Sequence, residues 1–345
     1  NSRAVRAASG VLVTVAVFVA AACGDDRSGF SGRQDSFDLD AGNPDAPKPT
    51  CGFQCSVDGR SIVDTCSGKV VETCAEDLAC GGAQCQEPCA AAAADRSSNG
   101  CEFYFQMPRY SRILPQSCYA AFVVNSSTKP VELTLEYEGK TLDVSKALYR
   151  TKPGDTSLEP IEGAIPPGES AVLFIADRPP NPDVAPEFDY IACPKVPATY
   201  LTVDAGTRIG SAFHLKSSAP VGMTAMYPFG GAESYVPTAT LLFPVATWGK
   251  EHLIINGWES RPSADPAAQI LAAEDDTEVI VNPTRDIQNG PGVPGTGARV
   301  PAMYRLQKGE FLQLVQTEEL SGSVVSSNKP TTVFGGHACA NVPAH

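Results

Sequence analysis

The chain is short of charge, of histidine and of long apolar runs, and each shortage excludes a class of function. Only 19% of its 345 residues are charged while 43% are hydrophobic, so it can build cores and is not generally disordered. Cations are the scarcer sign: 26 Lys and Arg against 39 Asp and Glu leave a net charge of -13, which argues against a nucleic-acid partner. The four histidines, at 214, 252, 337 and 345, form no paired-histidine zinc motif. A Walker loop, a dinucleotide fingerprint and a Gly-x-Ser-x-Gly elbow are also missing. The sequence therefore predicts a non-enzymatic chain with no catalytic residue, cofactor or metal. The most apolar stretch, VLVTVAVFVAAA at 11–22, is too short to span a bilayer in a relaxed way.

Turn residues are abundant, with 30 Gly and 29 Pro beside many Val-, Thr- and Tyr-bearing runs, and this predicts a mainly β protein. At the N-terminus, Arg3 and Arg6 precede the apolar stretch, which has the build of a secretory signal over residues 1–22. It ends in Ala20-Ala21-Ala22-Cys23, similar to a bacterial lipobox, and Cys23 would carry the lipid that anchors the chain in a membrane. The alternative is an ordinary cleaved signal with an incidental cysteine. Residues 23–50, rich in Asp, Gly, Ser and Pro, read as a disordered tether. Gly24 after Cys23 favours the outer membrane or cell surface, with the periplasmic face as the alternative.

Eight of the twelve cysteines, Cys51, Cys55, Cys66, Cys74, Cys80, Cys85, Cys89 and Cys101, crowd into residues 51–101. In an exported segment too small for much of a core they predict disulfides, with pairing open; a zinc site is the rival. The AAAAADR run at 90–96 predicts a short helix.

From residue 102 the pattern becomes alternation. VELTLEY at 131–137 places Val131, Leu133, Leu135 and Tyr137 on one face. Further strands are expected at 170–175, 211–215, 221–227, 253–255, 278–281 and 311–315. Two stretches share an order of features: a strand, a Gly-Glu turn (Gly168-Glu169, Gly309-Glu310), a strand, then a Ser-Ser-to-Pro step leading to Phe-Gly-Gly. We read two divergent β-sandwich-like modules, 118–245 and 246–345, after the small disulfide-rich module, the last cut short; a single folded unit is the alternative. Cys118 and Cys193 are the first-choice bridge, and Cys339 would need a partner beyond residue 345.

VSSNKPTTVFGGHACANVP at 325–343, with its Gly335-Gly336-His337-x-Cys339 turn, and SSNGCEFY at 97–104 carry a resemblance. The chain from 51 to 345 resembles the IgGFc-binding protein N-terminal domain family, in particular bacterial lipoprotein members. The resemblance implies a lipoprotein signal, tether, cysteine cluster and β region in that order.

Several side chains are candidates for chemistry or recognition. His337 could be a metal ligand or base, or a turn histidine bonded to backbone. Glu274-Asp275-Asp276 with Glu278 could bind calcium, or form a solvated turn. Tyr104, Phe105, Tyr110, Trp248 and Trp258 are platforms for sugar or protein, or core; Trp258 in Asn-Gly-Trp-Glu is the leading candidate for exposure. Asn125-Ser126-Ser127 satisfies a glycosylation sequon but reads as a loop in a bacterial chain. The function expected is adhesion, or binding of an extracellular protein or glycan, with a self-associating envelope component or an extracellular hydrolase as alternatives.

Overall fold

The computed structural model describes residues 51–152, 156–181, 183, 189–230, 238–258, 260 and 264–340. The signal, Cys23 and the tether lie outside the described residues. Residues 51–345 are one compact unit.

The cysteine-rich start has little apolar material, and covalent bonds replace a core. Its strands are β1 (Phe53–Cys55), β2 (Ser61–Asp64), β3 (Val70–Thr73), β4 (Ala79–Gly81) and β5 (Gln84–Gln86), followed by α1 (Pro88–Asp95). Pro88 opens the helix, where its missing N–H costs nothing, and the Glu87 carboxylate accepts from the Cys89 and Ala90 amides. Disulfides join Cys51–Cys66, Cys55–Cys80, Cys74–Cys85 and Cys89–Cys101, so all eight sulfurs are engaged and the zinc alternative falls.

The first β module contains β6 (Gly100–Phe105), β7 (Tyr119–Val124), β8 (Leu133–Tyr137), β9 (Lys140–Leu142), β10 (Leu148–Arg150), β11 (Glu159–Pro160), β12 (Ser170–Asp177) and β13 (Thr199–Tyr200). After β14 (Arg208–Ser211) come the long β15 (Phe213–Tyr227) and β16 (Thr238–Leu242). The second module adds β17 (Gly249–Leu253), β18 (Pro266–Ala272), β19 (Thr277–Asn282), β20 (Ala302–Leu306), β21 (Glu310–Val315) and the long β22 (Val324–His337).

The two modules repeat one plan. Strand order is β10-β12-β7-β15-β8-β9 in the first and β14-β21-β18-β22-β19-β20 in the second, with β6 and β17 each on the long strand. The correspondence extends to single residues: β6 pairs Gly100 with Val221, and β17 pairs Gly249 with Thr331. One strand crosses the sequence boundary between modules, since β14, which precedes β15, pairs with β21. The two strands expected at 211–215 and 221–227 are one strand, bent at the Ser-Ser-to-Pro step.

That bend lets a single strand serve two sheets. β15 pairs with β8 up to Ser217 and with β7 from Gly222; β22 pairs with β19 up to Ser327 and with β18 from Thr331. At each bend the serine hydroxyl donates to the carbonyl two residues on, Ser217 to Ala219 at 2.8 Å and Ser327 to Lys329 at 2.7 Å. Proline follows at 220 and 330 and, lacking an N–H, cannot continue the ladder. A third copy, Ser127 to Lys129 at 2.9 Å before Pro130, shapes the turn into β8. The Phe-Gly-Gly ends are not equivalent: Phe229 follows the end of β15, whereas Phe334 lies within β22.

Each module packs its inward side chains around its own core, Phe103, Phe105, Tyr119, Leu173 and Phe213 in the first, Ile270, Val279, Leu312 and Leu314 in the second. The outer face of β7 and β12, bearing Phe122 and Phe174, is covered by Tyr149, Leu158 and Phe229. Cys118 is bonded to Cys193, pinning the covering loop. Asp177 holds the same loop by accepting from the Cys193 amide at 2.8 Å and from the Tyr190 hydroxyl, although burial pushes its pKa up. Cys339 is not disulfide-bonded. Among the described residues no helix is long and apolar enough to cross a membrane.

The bridge Cys118–Cys193 spans 75 residues, and chain entropy alone gives it about 4 kcal/mol. Replacing both cysteines by alanine should lower the guanidinium unfolding midpoint, read by circular dichroism, and steepen the slope, because the freed unfolded chain exposes more surface. An unchanged midpoint would mean that the loop is held by its packing alone.

Candidate functional site

Where the modules meet, the outer face of β18 and β21 carries Gln269 and Gln313, cross-strand neighbours and both buried. Buried amides must be satisfied, and here they satisfy one another in series. The Gln106 amide donates to the Gln269 carbonyl, the Gln269 amide to Gln313 at 2.7 Å, and the Gln313 amide to the carbonyls of Arg109 and Gly206 at 2.9 and 2.8 Å. The direction of donation leaves one acceptor over, the side-chain carbonyl of Gln106, which is buried and has no partner among the described residues.

Gln106 lines a cleft of roughly 640 Å³ at this seam, bounded also by Tyr110, Tyr227, Asp189, Phe334 and His337. Its walls are fixed by local chemistry. Arg109 donates to the carbonyls of Val203 and Leu114 at 3.3 and 3.0 Å and reaches the Tyr227 hydroxyl at 3.5 Å. Tyr110 donates to Gln269 at 3.1 Å, and its ring lies against Gly336, where a Cβ would sit 2.6 Å from a ring carbon. At Gly335 a Cβ would sit 1.7 Å from the Ile255 carbonyl oxygen; both glycines lie in β22, paired with β18, and not in the turn expected from the sequence, and close approach is what calls for glycine at each. A volume of this size suits a sugar ring or a protruding side chain, and its lining mixes aromatic rings with polar side chains, among them Ser117, Asp189, Thr240 and Gln269.

His337 and Cys339 both line the cleft. The Cys339 amide donates to His337 Nδ1 at 3.0 Å, which in the neutral ring puts the proton on Nε2. Trp258 is not part of this lining; it is half-exposed, with φ at 73°, a left-handed conformation unusual for a bulky residue. Tyr104, Phe105 and Trp248 are core. The acidic run is a structural turn: the Asp275 carboxylate accepts the Lys308 amide at 3.0 Å and the Glu274 carbonyl accepts the Thr277 hydroxyl at 2.7 Å. Among the described residues no group of three His, Cys, Asp or Glu could hold a metal ion. Asn125 of the sequon is fully buried and donates to the carbonyls of Lys129, Ile165 and Pro166.

Two features escaped the sequence reading. The glutamine series had no signal in a linear pattern, because its members lie on three separate strands or segments. The other is His214, held between Glu136 and Glu102, each at 2.9 Å, and stacked on Tyr104 with ring centroids 4.2 Å apart. Its hydrogen bond to Glu102 holds that carboxyl below the ordinary glutamate range. A depressed carboxyl adds stability above its unfolded pKa and loses it as pH falls through the folded value. Thermal unfolding of the native chain should therefore fall more steeply from about pH 5 to about pH 3 than that of Glu102→Gln, the difference vanishing at the acid end. Parallel curves would show that Glu102 is not coupled to folding.

The glycines give a second contrast. Gly335→Ala drives a Cβ into backbone and should cost about 3 kcal/mol or more in chemical denaturation, whereas Gly336→Ala meets a ring edge that can yield and should cost less. Equal costs would contradict the difference in what each glycine faces.

No curated protein matches the chain, and no solved structure matches it. Residues 238–345, from β16 through β22 and so including the cleft wall from Phe334 to Cys339, match the family model described as IgGFc binding protein.

Proposed function

We propose that this chain is an exported, lipid-anchored, non-enzymatic binding protein that holds an extracellular protein or glycan in the cleft between its two β modules. The observation that carries this is the family match at residues 238–345, which supplies one wall of that cleft. Five disulfides support export, since such bonds persist in oxidising compartments. The lipobox-like Ala20-Ala21-Ala22-Cys23 supports anchoring through Cys23 at the outer membrane or cell surface. Recognition is favoured over hydrolysis because the polar groups of the cleft are engaged in building it: Arg109 spans backbone carbonyls, Tyr110 holds Gln269, and His337 accepts a backbone amide. What the cleft offers a ligand is the aromatic side chains of Tyr110 and Tyr227 together with Asp189 and Thr240, a set suited to a hydroxyl- or amide-bearing group.

Purified protein should bind at least one of Fc fragment, mucin and a glycan array. Thr240, on the cleft rim, provides a block: Thr240→Trp should weaken that binding by about tenfold or more, for a loss of about 1–2 kcal/mol, without changing the melting temperature. Binding that ignores the blocked cleft would place recognition elsewhere, and no binding to any of the three would remove the proposal's support. Intact-mass spectrometry of membrane-derived protein should show acyl chains on Cys23; an unmodified cysteine would leave export without the anchor.

A further inference from the structure

A second cavity, a recess of roughly 570 Å³, shares Arg109, Leu114 and Pro115 with the cleft and is otherwise lined by other residues. Three arginines line it, Arg109, Arg112 and Arg178, and among the described residues no carboxylate does. In a chain with 26 cations against 39 anions, that grouping runs against the prevailing sign. Elsewhere arginine meets a carboxylate: Arg150, Arg208, Arg285 and Arg305 do so at 2.5, 2.6, 3.4 and 2.7 Å. Arg112 has neither ion pair nor hydrogen bond among the described residues. The walls are held by other groups. The Ser111 hydroxyl accepts from the Ile113 and Leu114 amides, both at 3.1 Å, and fixes the turn that carries Arg112. Gln116 clamps the segment after β13, donating to the Leu201 carbonyl and accepting from the Val203 amide, each at 2.7 Å. Gly206, at φ 93°, lets the Arg112 guanidinium lie against its backbone, since a Cβ there would sit 2.9 Å from Nη2. Arg109 spends Nε and Nη1 on its carbonyls and on Tyr227, and its Nη2 has no partner among the described residues. Arg178 is stacked 3.7 Å from the centroid of the Tyr190 ring, which fixes its guanidinium plane. The carboxylates nearest in sequence are engaged: Asp177 accepts from the Cys193 amide and the Tyr190 hydroxyl, and Asp204 pairs with Arg208.

We propose that this recess is an anion site, taking a carboxylate, sulfate or phosphate group of a ligand with Arg112 as its principal donor. The chemistry follows from the donor set. A guanidinium is charged at every physiological pH, and its fork matches the paired oxygens of an oxyanion. Three such cations held together without a counterion repel one another, and a bound oxyanion relieves that repulsion. Thr202 and Asn181, also in the lining, add neutral donors for the remaining oxygens; the Asn181 side-chain carbonyl accepts the Asp183 amide at 3.1 Å, which leaves its NH₂ group to donate. Arg112 and Thr202 are exposed, so the site is open to the charged end of a larger molecule as well as to a free ion. This site is separate from whatever the cleft holds and stands without that reading.

The probes are inorganic phosphate, a sulfated disaccharide and a short polyglutamate peptide, each titrated against the full chain at low ionic strength. Phosphorus NMR line broadening reads the first, and titration calorimetry the other two. At least one should bind saturably with one-to-one stoichiometry and weaken as chloride is added, because the contact is driven by charge. Arg112→Gln removes the charge of an exposed side chain that bonds nothing, and should weaken binding about tenfold at an unchanged melting temperature. Thr202→Glu gives the recess a carboxylate of its own and should abolish binding. Arg299→Gln, at an exposed arginine outside the lining, should change nothing. Phosphate binding marks a site for small ions, and binding of the disaccharide or the peptide alone marks one that takes the charged group on its carrier; each supports the proposal. No saturable binding of any probe overturns it. So does binding that survives both Arg112→Gln and Thr202→Glu, or that Arg299→Gln weakens as much as Arg112→Gln, since that would be diffuse attraction to surface cations.

Discussion

A strand that must belong to two sheets has to turn a corner without losing its place in either, and that corner is the constraint on which the rest of this molecule depends. The serine hydroxyls of Ser217 and Ser327 supply a local acceptor-seeking bond at the point where Pro220 and Pro330 remove a ladder donor. The chain is thereby bent and its register preserved on both sides. Because the bend falls at the same depth in both long strands, the two sandwiches close alike, and their outer faces come to carry corresponding positions. The seam and the cleft both follow from that repetition.

Much of this was legible in sequence where side chains alternate or where turn chemistry is explicit. The wet-and-dry pattern of 131–137 announced β8, and the Gly-Glu turns at 168 and 309 marked the starts of β12 and β21, where both glycines take positive φ. Among the strands that were missed, β7 with YAAFVV and β18 with PAAQILA are central and covered on both faces, so they carry no alternation and read as featureless apolar runs. The Ser-Ser-to-Pro step was visible as a repeated motif, but as the end of one strand rather than the middle of one, because proline ordinarily argues against a strand interior.

The candidate site was less legible for a different reason. His337 and Cys339 stand out in a linear reading, yet the cleft is shaped as much by Gln106, Gln269 and Gln313, three unremarkable amides that matter only because the fold buries them together. His214 likewise acquires its two carboxylates through pairing across β6, β15 and β8, with partners 112 and 78 residues away. Local pattern cannot anticipate such partners; strand register can.

The pairing of β6 with β15 also bears on how the chain comes to be folded when it is threaded across a membrane from its N-terminus. The first three disulfides close loops of 15, 25 and 11 residues and need only chain that has already emerged. β6 follows directly behind them, but its partner strand begins at Phe213, more than a hundred residues later. For that interval a stapled head is joined to an unpaired, aromatic-rich strand edge exposed to water and to neighbouring chains. The segment that delivers its partner is therefore also the segment that ends its exposure to misassociation, and the order of synthesis makes the middle of the sequence, rather than its start, decide whether export yields a folded protein.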